Sequence, residues 1–184
     1  VWGLIDNFNT NADTLTFLSD TQVRTNIINQ LMEQADVVGL DGINLDFESI
    51  TEEQAPHYVQ FIRELSIACR NRGLVFSIDN PVPMPYNQYY DRKEQGIVAD
   101  YVIIMGYDEH YSGDTEAGSV ASLEFVKNGI LDTLEEVPAE KTINGIPFYT
   151  RLWTEPFGGG NLTSEAMGMQ SASDYVVANG MDTY

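Results

Sequence analysis

Short apolar runs alternate along this chain with longer stretches whose apolar residues recur every three to four positions, and polar loop residues follow each run. Runs of that kind read as strands and the longer stretches as amphipathic helices. Strands are expected over 1–8, 42–47, 74–79, 101–107 and 142–149. Their starts lie about 30 to 40 residues apart, one strand–helix unit each, which is the rhythm of a parallel sheet or barrel.

The helices carry their own punctuation. Val23, Ile27, Ile28, Leu31 and Ala35 share a helical face after Ser19 and Asp20, either of which can cap the first free backbone N–H groups. Thr51 and Gln54 fit a capping box, Tyr58, Ile62, Leu65 and Cys69 continue one face, and Gly73 suits the left-handed position that ends a helix. A shorter helix is expected over 90–97 and another over 122–135, with Pro138 marking its end. After Arg151 the pattern changes. PFGGG at 156–160 reads as a flexible turn, and 163–184 carries at most one helix, near 172–179.

Composition narrows the partners. Nine Lys and Arg face 28 Asp and Glu, a formal charge of −19, so the chain's field repels phosphates. Nucleic acid and membrane insertion are therefore not expected, and no run approaches the roughly 20 apolar residues of a membrane span. The single Cys69 cannot form an internal disulfide and reads as a packed thiol. The start VWGLIDNF lacks the pattern of a signal peptide and opens inside a strand, as a fragment would.

What matters is where the carboxylates fall. The first four expected strands end in Asp6, in Asp46 and Glu48, in Asp79 and in Asp108. Parallel strands followed by helices put those ends on one face, where βα barrels carry their active sites. In DGINLDFES, Asn44, Asp46 and Glu48 alternate with Ile43, Leu45 and Phe47, so the three polar groups share one face of the strand. Alternation alone also fits an exposed antiparallel strand. The neighbouring VIIM and LVFSI, apolar on both faces, favour a parallel sheet. Asp46 and Glu48, about 7 Å apart along a strand, are not expected to ionise independently. A carboxyl kept protonated near neutrality is a general acid, and two carboxyls with divided roles suggest glycoside hydrolysis.

On these residues the chain resembles glycoside hydrolase family 18, the chitinase family, whose strand-four motif is DxxDxDxE. Asp41, Asn44, Asp46 and Glu48 occupy its four positions, with Asn44 in place of the second Asp. MGYD at 105–108 is similar to the family's M-x-Y-D, and GIPFYTR at 145–151 to its strand-seven segment. YDEHY and GSVAS, at 107–111 and 118–122, resemble the bacterial branch of spore-cortex and cell-wall N-acetylglucosaminidases. The fold class implied is α/β, a partial (β/α)8 TIM barrel of about strands three to seven of the family fold. The domain expected is 1–156, with 157–184 beginning the insertion after the seventh family strand.

The resemblance implies a retaining, substrate-assisted hydrolysis next to N-acetylglucosamine in chitin, peptidoglycan or related glycans, one of the exceptions to the two-carboxylate scheme. It makes Glu48 the general acid and base, with Asp46 and Tyr107 on the substrate's acetamide. It gives substrate-binding places to Asp108, Asn44, Asp41, Met105, Tyr149 and Arg151, and Trp153 is the preferred loop aromatic. Asn44 in place of Asp is expected to shift the coupled carboxyl titrations more than to abolish turnover. No cofactor or metal is expected. The partner implied is an N-acetylated oligo- or polysaccharide, with the remainder of the barrel needed for closure, and the location an extracellular or wall-associated bacterial one. Two other readings stay open: a metal-dependent barrel hydrolase using Asp6, Asp46, Asp79 and Asp108, and a module that binds glycans without cleaving them.

Overall fold

The computed structural model describes residues 1–8, 13–157 and 160–181, so part of the expected turn at 156–160 and the last three residues lie outside the described residues. The chain divides into two compact units. The first holds Val1–Met105 and Gly129–Asn144, and the second Gly106–Asn128 and Gly145–Tyr184.

In the first unit β1 (Trp2–Asp6), α1 (Thr14–Ser19), α2 (Thr21–Val38), β2 (Gly42–Asp46), α3 (Ala55–Arg72), β3 (Val75–Pro81), α4 (Arg92–Val98) and β4 (Tyr101–Met105) follow one another. The strands β1 to β4 pair in parallel. With β5 (Thr142–Gly145) the order is β1-β2-β3-β4-β5, an open five-stranded sheet among the described residues and not a closed barrel. The α/β class and the strand order of a partial barrel are thus as the sequence implies.

Local signals explain most boundaries. Asp20 caps α2, its carboxylate accepting from the N–H groups of Gln22 and Val23 at 2.7 and 2.9 Å. The capping box before α3 forms in both directions, Thr51 N–H to Gln54 Oε1 at 3.1 Å and Gln54 N–H to Thr51 Oγ1 at 3.3 Å. Gly73 takes φ +69° after α3, so the chain can turn at once into β3. One face of the sheet is covered by helices: Ile43 and Leu45, Phe76 and Ile78, and Val102 are buried with Ile28, Met32 and Ala35 of α2 and Phe61, Ile62, Leu65 and Cys69 of α3. Phe47 joins them, stacked on Phe61 with ring centroids 5.7 Å apart. Each such side chain contributes about 1.5–3 kcal/mol by leaving water.

Three expectations are corrected here. The buried face of α2 is rotated from the one expected, because Arg24 is 5% exposed and Val23 38%. Arg24 tolerates that place because Glu64 accepts from its Nε and Nη2 at 2.9 and 3.1 Å and the Leu18 carbonyl from its Nη1 at 2.6 Å. The run 101–107 ends as a strand at Met105, which leaves Tyr107 and Asp108 in the loop beyond it. The run 142–149 is two strands, β5 and β6 (Tyr149–Thr154), divided at Ile146–Phe148, where Pro147 has no N–H to give a ladder and restricts the residue before it.

In the second unit β6 pairs antiparallel with β7 (Thr163–Gly168), from Tyr149↔Gly168 to Thr154↔Thr163. The strand β7 is not expected from its own sequence, since TSEAMG has neither a β-branched run nor a clear apolar face. It leads into α6 (Met169–Ala178), which starts three residues before the helix expected near 172–179. The helix α5 (Leu123–Leu134) follows the loop that begins at Gly106, and the Oγ of Ser122 ahead of it accepts from the N–H of Phe125 at 3.2 Å. No helix of the described residues is long and apolar enough to cross a membrane.

Candidate functional site

The register brings the first group of polar residues together. Asp6 pairs with Asp46, and Leu4, Asn44, Ser77 and Tyr101 form one row across four strands. Because side chains alternate, Asp6, Asn44, Asp46, Ser77 and Asp79 all stand on the sheet face opposite the helices. They cluster toward the carboxyl ends of β1, β2 and β3. Asn44 is 8% exposed and donates through one amide nitrogen to Ser77 Oγ at 2.9 Å and to Asp79 Oδ1 at 3.0 Å.

This crowding raises carboxyl pKa values. Burial pushes Asp79 up to about 6, with the Asn44 amide pulling it back and the charge of Asp46 adding to the rise. Asp46 is raised by burial and then by Asp6. The sequence reading couples the titration of Asp46 to Glu48, whereas the charge that acts on it here is that of Asp6, which the sequence places at a strand end on the same face. Asp46 Oδ1 is buried with no hydrogen-bond partner among the described residues. A donor brought by a ligand would satisfy it.

Glu48 lies two residues past the end of β2, half-buried, and its backbone is held from outside the strand. The Asn7 side chain donates to the Glu48 carbonyl at 3.0 Å and accepts from the Glu48 N–H at 2.9 Å. Next to it Ser49 takes φ +56°, an uncommon conformation for a residue with a side chain, and the Ile50 N–H reaches the Tyr90 hydroxyl at 3.4 Å.

The second unit carries its own group. The Tyr149 hydroxyl donates to Asp108 Oδ1 at 2.6 Å, and the Tyr107 ring meets the Tyr149 ring edge-on at 6.3 Å. Burial and then the Asp108 hydrogen bond hold the Tyr149 phenol well above the usual range. Asp108 itself has φ +58°, a conformation that Asp tolerates better than most residues. Arg151 donates to Ser164 Oγ at 3.1 Å, and its Nε is buried without a partner among the described residues. Trp153 gives its indole N–H to the Gly118 carbonyl at 2.9 Å.

Of the residues singled out in the sequence, Asn44, Asp46 and Glu48 come together at one end of β2, and Tyr107, Asp108 and Tyr149 in the loop after β4 and the start of β6. Met105 is the last residue of β4, in register with Pro81. Asp41 is not brought to that end. It is an exposed residue ahead of β2, at the strand's opposite end, where its backbone N–H bonds the Val1 carbonyl at 2.8 Å. The sequence reading singles out Asp79 as a strand-end carboxylate but not its neighbour Ser77, nor Asn7 and Tyr90, which hold the backbone around Glu48. For Ser77 and Asp79 the signal is present, since S-x-D in FSIDNP alternates as N-x-D does in GINLD.

The family model of glycosyl hydrolases family 18 matches residues 9–179. The chain belongs to that family. Among curated proteins it is 31% identical over 151 residues to YdhD of Bacillus subtilis (strain 168), provisionally named a sporulation-specific glycosylase, covering 80% of this chain and 36% of that protein. It is 29% identical over 161 residues to the cortical fragment-lytic enzyme of Bacillus subtilis (strain 168), covering 84% and 37%. The chain thus spans well under half the length of these two relatives. Among solved structures, that of YdhD superposes with a TM-score of 0.86 at 27% identity, over 96% of this chain and 61% of that one. A chitinase from Chromobacterium violaceum ATCC 12472, at 24% identity and a TM-score of 0.83 over 96% and 57%, shares the fold.

Among the described residues no group of three or more His, Cys, Asp and Glu side chains is placed to hold a metal ion. Cys69 is buried, and burial pushes its thiol up to about 12, far from thiolate chemistry at neutral pH.

Proposed function

We propose that the protein hydrolyses the glycosidic bond next to an N-acetylglucosamine residue with retention and with help from the substrate's own acetamide. The observation that carries this reading is the layered polar face at the strand ends, where Asn44 ties Ser77 to Asp79, Asp46 stands beside them, and Glu48 follows just past the strand. The Glu48 carboxyl gives its proton to the leaving oxygen as the C1–O bond breaks. The acetamide oxygen forms the new bond to C1, and Asp46 accepts from the acetamide N–H and steadies the positive oxazolinium ring. Water then attacks C1, its proton returns to Glu48, and the ring reopens. The raised pKa values of Asp46 and Asp79 support a site that shares protons among neighbouring carboxyls.

By family likeness, Tyr107 donates to the substrate's acetamide, Asp108 contacts the sugar, and Met105, Tyr149 and Arg151 line its site. Trp153 offers an aromatic face to a sugar ring. Residues 157–184 begin the insertion that follows the family's seventh strand. The substrate class is an N-acetylated wall or chitin glycan, and the place of action is outside the cell or at its wall, in keeping with a relative named as a cortical fragment-lytic enzyme.

Comparing an aryl N,N′-diacetylchitobioside with its 2-trifluoroacetamido analogues tests the mechanism. Assistance from the acetamide predicts that kcat falls steeply as fluorine drains electron density from the attacking oxygen. A flat series would point to an enzymic nucleophile instead.

A further inference from the structure

The side chain of Asn7 makes two opposed hydrogen bonds to one residue, accepting from the Glu48 N–H at 2.9 Å and donating to the Glu48 carbonyl at 3.0 Å. A primary amide presents its C=O and one N–H side by side, as a residue in a strand presents its own C=O and N–H to the next strand, so Asn7 pairs with Glu48 as a neighbouring strand would. The ladder itself has already stopped. Strand β1 ends at Asp6 and β2 at Asp46, which are each other's last register partners. Asn7 therefore extends pairing by side chain to a residue that the backbone ladder no longer reaches.

The need for such a clamp is visible in the next residue. Ser49 is held at φ +56°, a conformation that non-glycine residues adopt only when the surroundings impose it. The Tyr90 hydroxyl accepts from the Ile50 N–H on the far side at 3.4 Å, so the segment is tied before and after the turn. Asn7 is itself fixed, donating to Thr14 Oγ1 at 3.3 Å at the start of α1. Asn7 and Tyr90 can thus fix the direction of the Glu48 side chain through the backbone of 48–50.

We infer that Asn7 is a positioning residue for Glu48, acting through backbone hydrogen bonds to aim its carboxyl at the leaving oxygen. The inference rests on the proposed role of Glu48 as acid and base. A misaimed acid harms reactions in proportion to how much they need a proton. A chitooligosaccharide departs as a sugar alcohol and needs protonation, whereas an aryl chitobioside with an acidic phenol hardly does.

The test measures kcat and KM on both substrates for the native protein, Asn7→Ala, the isosteric Asn7→Asp and Glu48→Gln, with thermal midpoints alongside. Asn7→Ala is expected to lose about 10- to 100-fold in kcat on the oligosaccharide and less than about 3-fold on the aryl glycoside, with KM within about twofold on either. Asn7→Asp keeps the acceptor and loses the donor, so it is expected to show the same bias at smaller size; it carries the comparison if Asn7→Ala does not fold. Equal losses on both substrates, or losses that vanish below the variants' melting range, overturn the positioning role alone. Full turnover by Glu48→Gln, or none by the native protein, overturns the acid–base reading and this inference with it.

Discussion

Replacing Asp79 with Asn probes the electrostatics of the strand-end cluster without changing its shape. The Asp79 carboxyl sits at about 6 when folded, against an ordinary value near 3.8, chiefly because it is buried. Two pKa units at 1.36 kcal/mol each set a ceiling of about 3 kcal/mol, and screening at a carboxyl partly open to solvent brings the expected effect to about 1–2 kcal/mol. The sign follows from proton binding. The folded state holds this proton more tightly than the unfolded chain does, so the contribution is fully present below about pH 4 and is lost as pH rises through about 6. The amide introduced by Asp79→Asn has no such proton to lose, while its oxygen can still accept from Asn44. The variant is therefore expected to match the native protein near pH 4 and to exceed it by about 1–2 kcal/mol near pH 7. Urea unfolding at several pH values, with the difference in midpoint read at constant slope, measures this directly. A difference that does not change with pH, or one that falls as pH rises, would refute the reasoning.

Three further outcomes follow from the same contacts. Asn44→Asp exchanges the donors to Ser77 and Asp79 for another carboxyl, so it should cost about 2 kcal/mol near neutrality and less in acid, measured by the same titration. Gly42→Ala places a Cβ 2.7 Å from the Val75 carbonyl oxygen, a backbone atom that cannot swing aside, and should lower stability by about 1–3 kcal/mol in thermal unfolding. Arg24→Ala removes the donor to the buried Leu18 carbonyl, leaves Glu64 without its cation and opens a cavity, and should cost about 3 kcal/mol, whereas Arg24→Met, which loses the same polar contacts but fills the cavity, should cost less.

Elements defined by local signals were legible in the sequence. Asp20, the Thr51–Gln54 pair and Gly73 each act within a few residues, so the chain alone locates the start of α2 and both ends of α3. The strand-end carboxylates were legible because alternation fixes their face once the sheet is parallel. What escaped depended on distant partners. Arg24 looks like a surface residue until Glu64, forty positions on, is beside it. TSEAMG becomes a strand because Tyr149–Thr154 offers it a ladder. Asn7 looks like an ordinary turn residue, and only the fold shows that its amide meets the backbone of Glu48. Asp41 belongs to the same motif in the sequence, yet it stands at the far end of its strand from Asp46 and Glu48.

Whether Glu48 supplies and recovers the proton in glycoside hydrolysis is decided by turnover of a fluorogenic N,N′-diacetylchitobioside and of a chitooligosaccharide by native protein and Glu48→Gln, each with and without EDTA. The expected result is turnover by the native protein that EDTA leaves unchanged, and a Glu48→Gln variant that folds normally yet loses at least about 100-fold in kcat on the oligosaccharide. Native activity abolished by EDTA, or a Glu48→Gln variant that turns over both substrates as well as the native protein does, would contradict it.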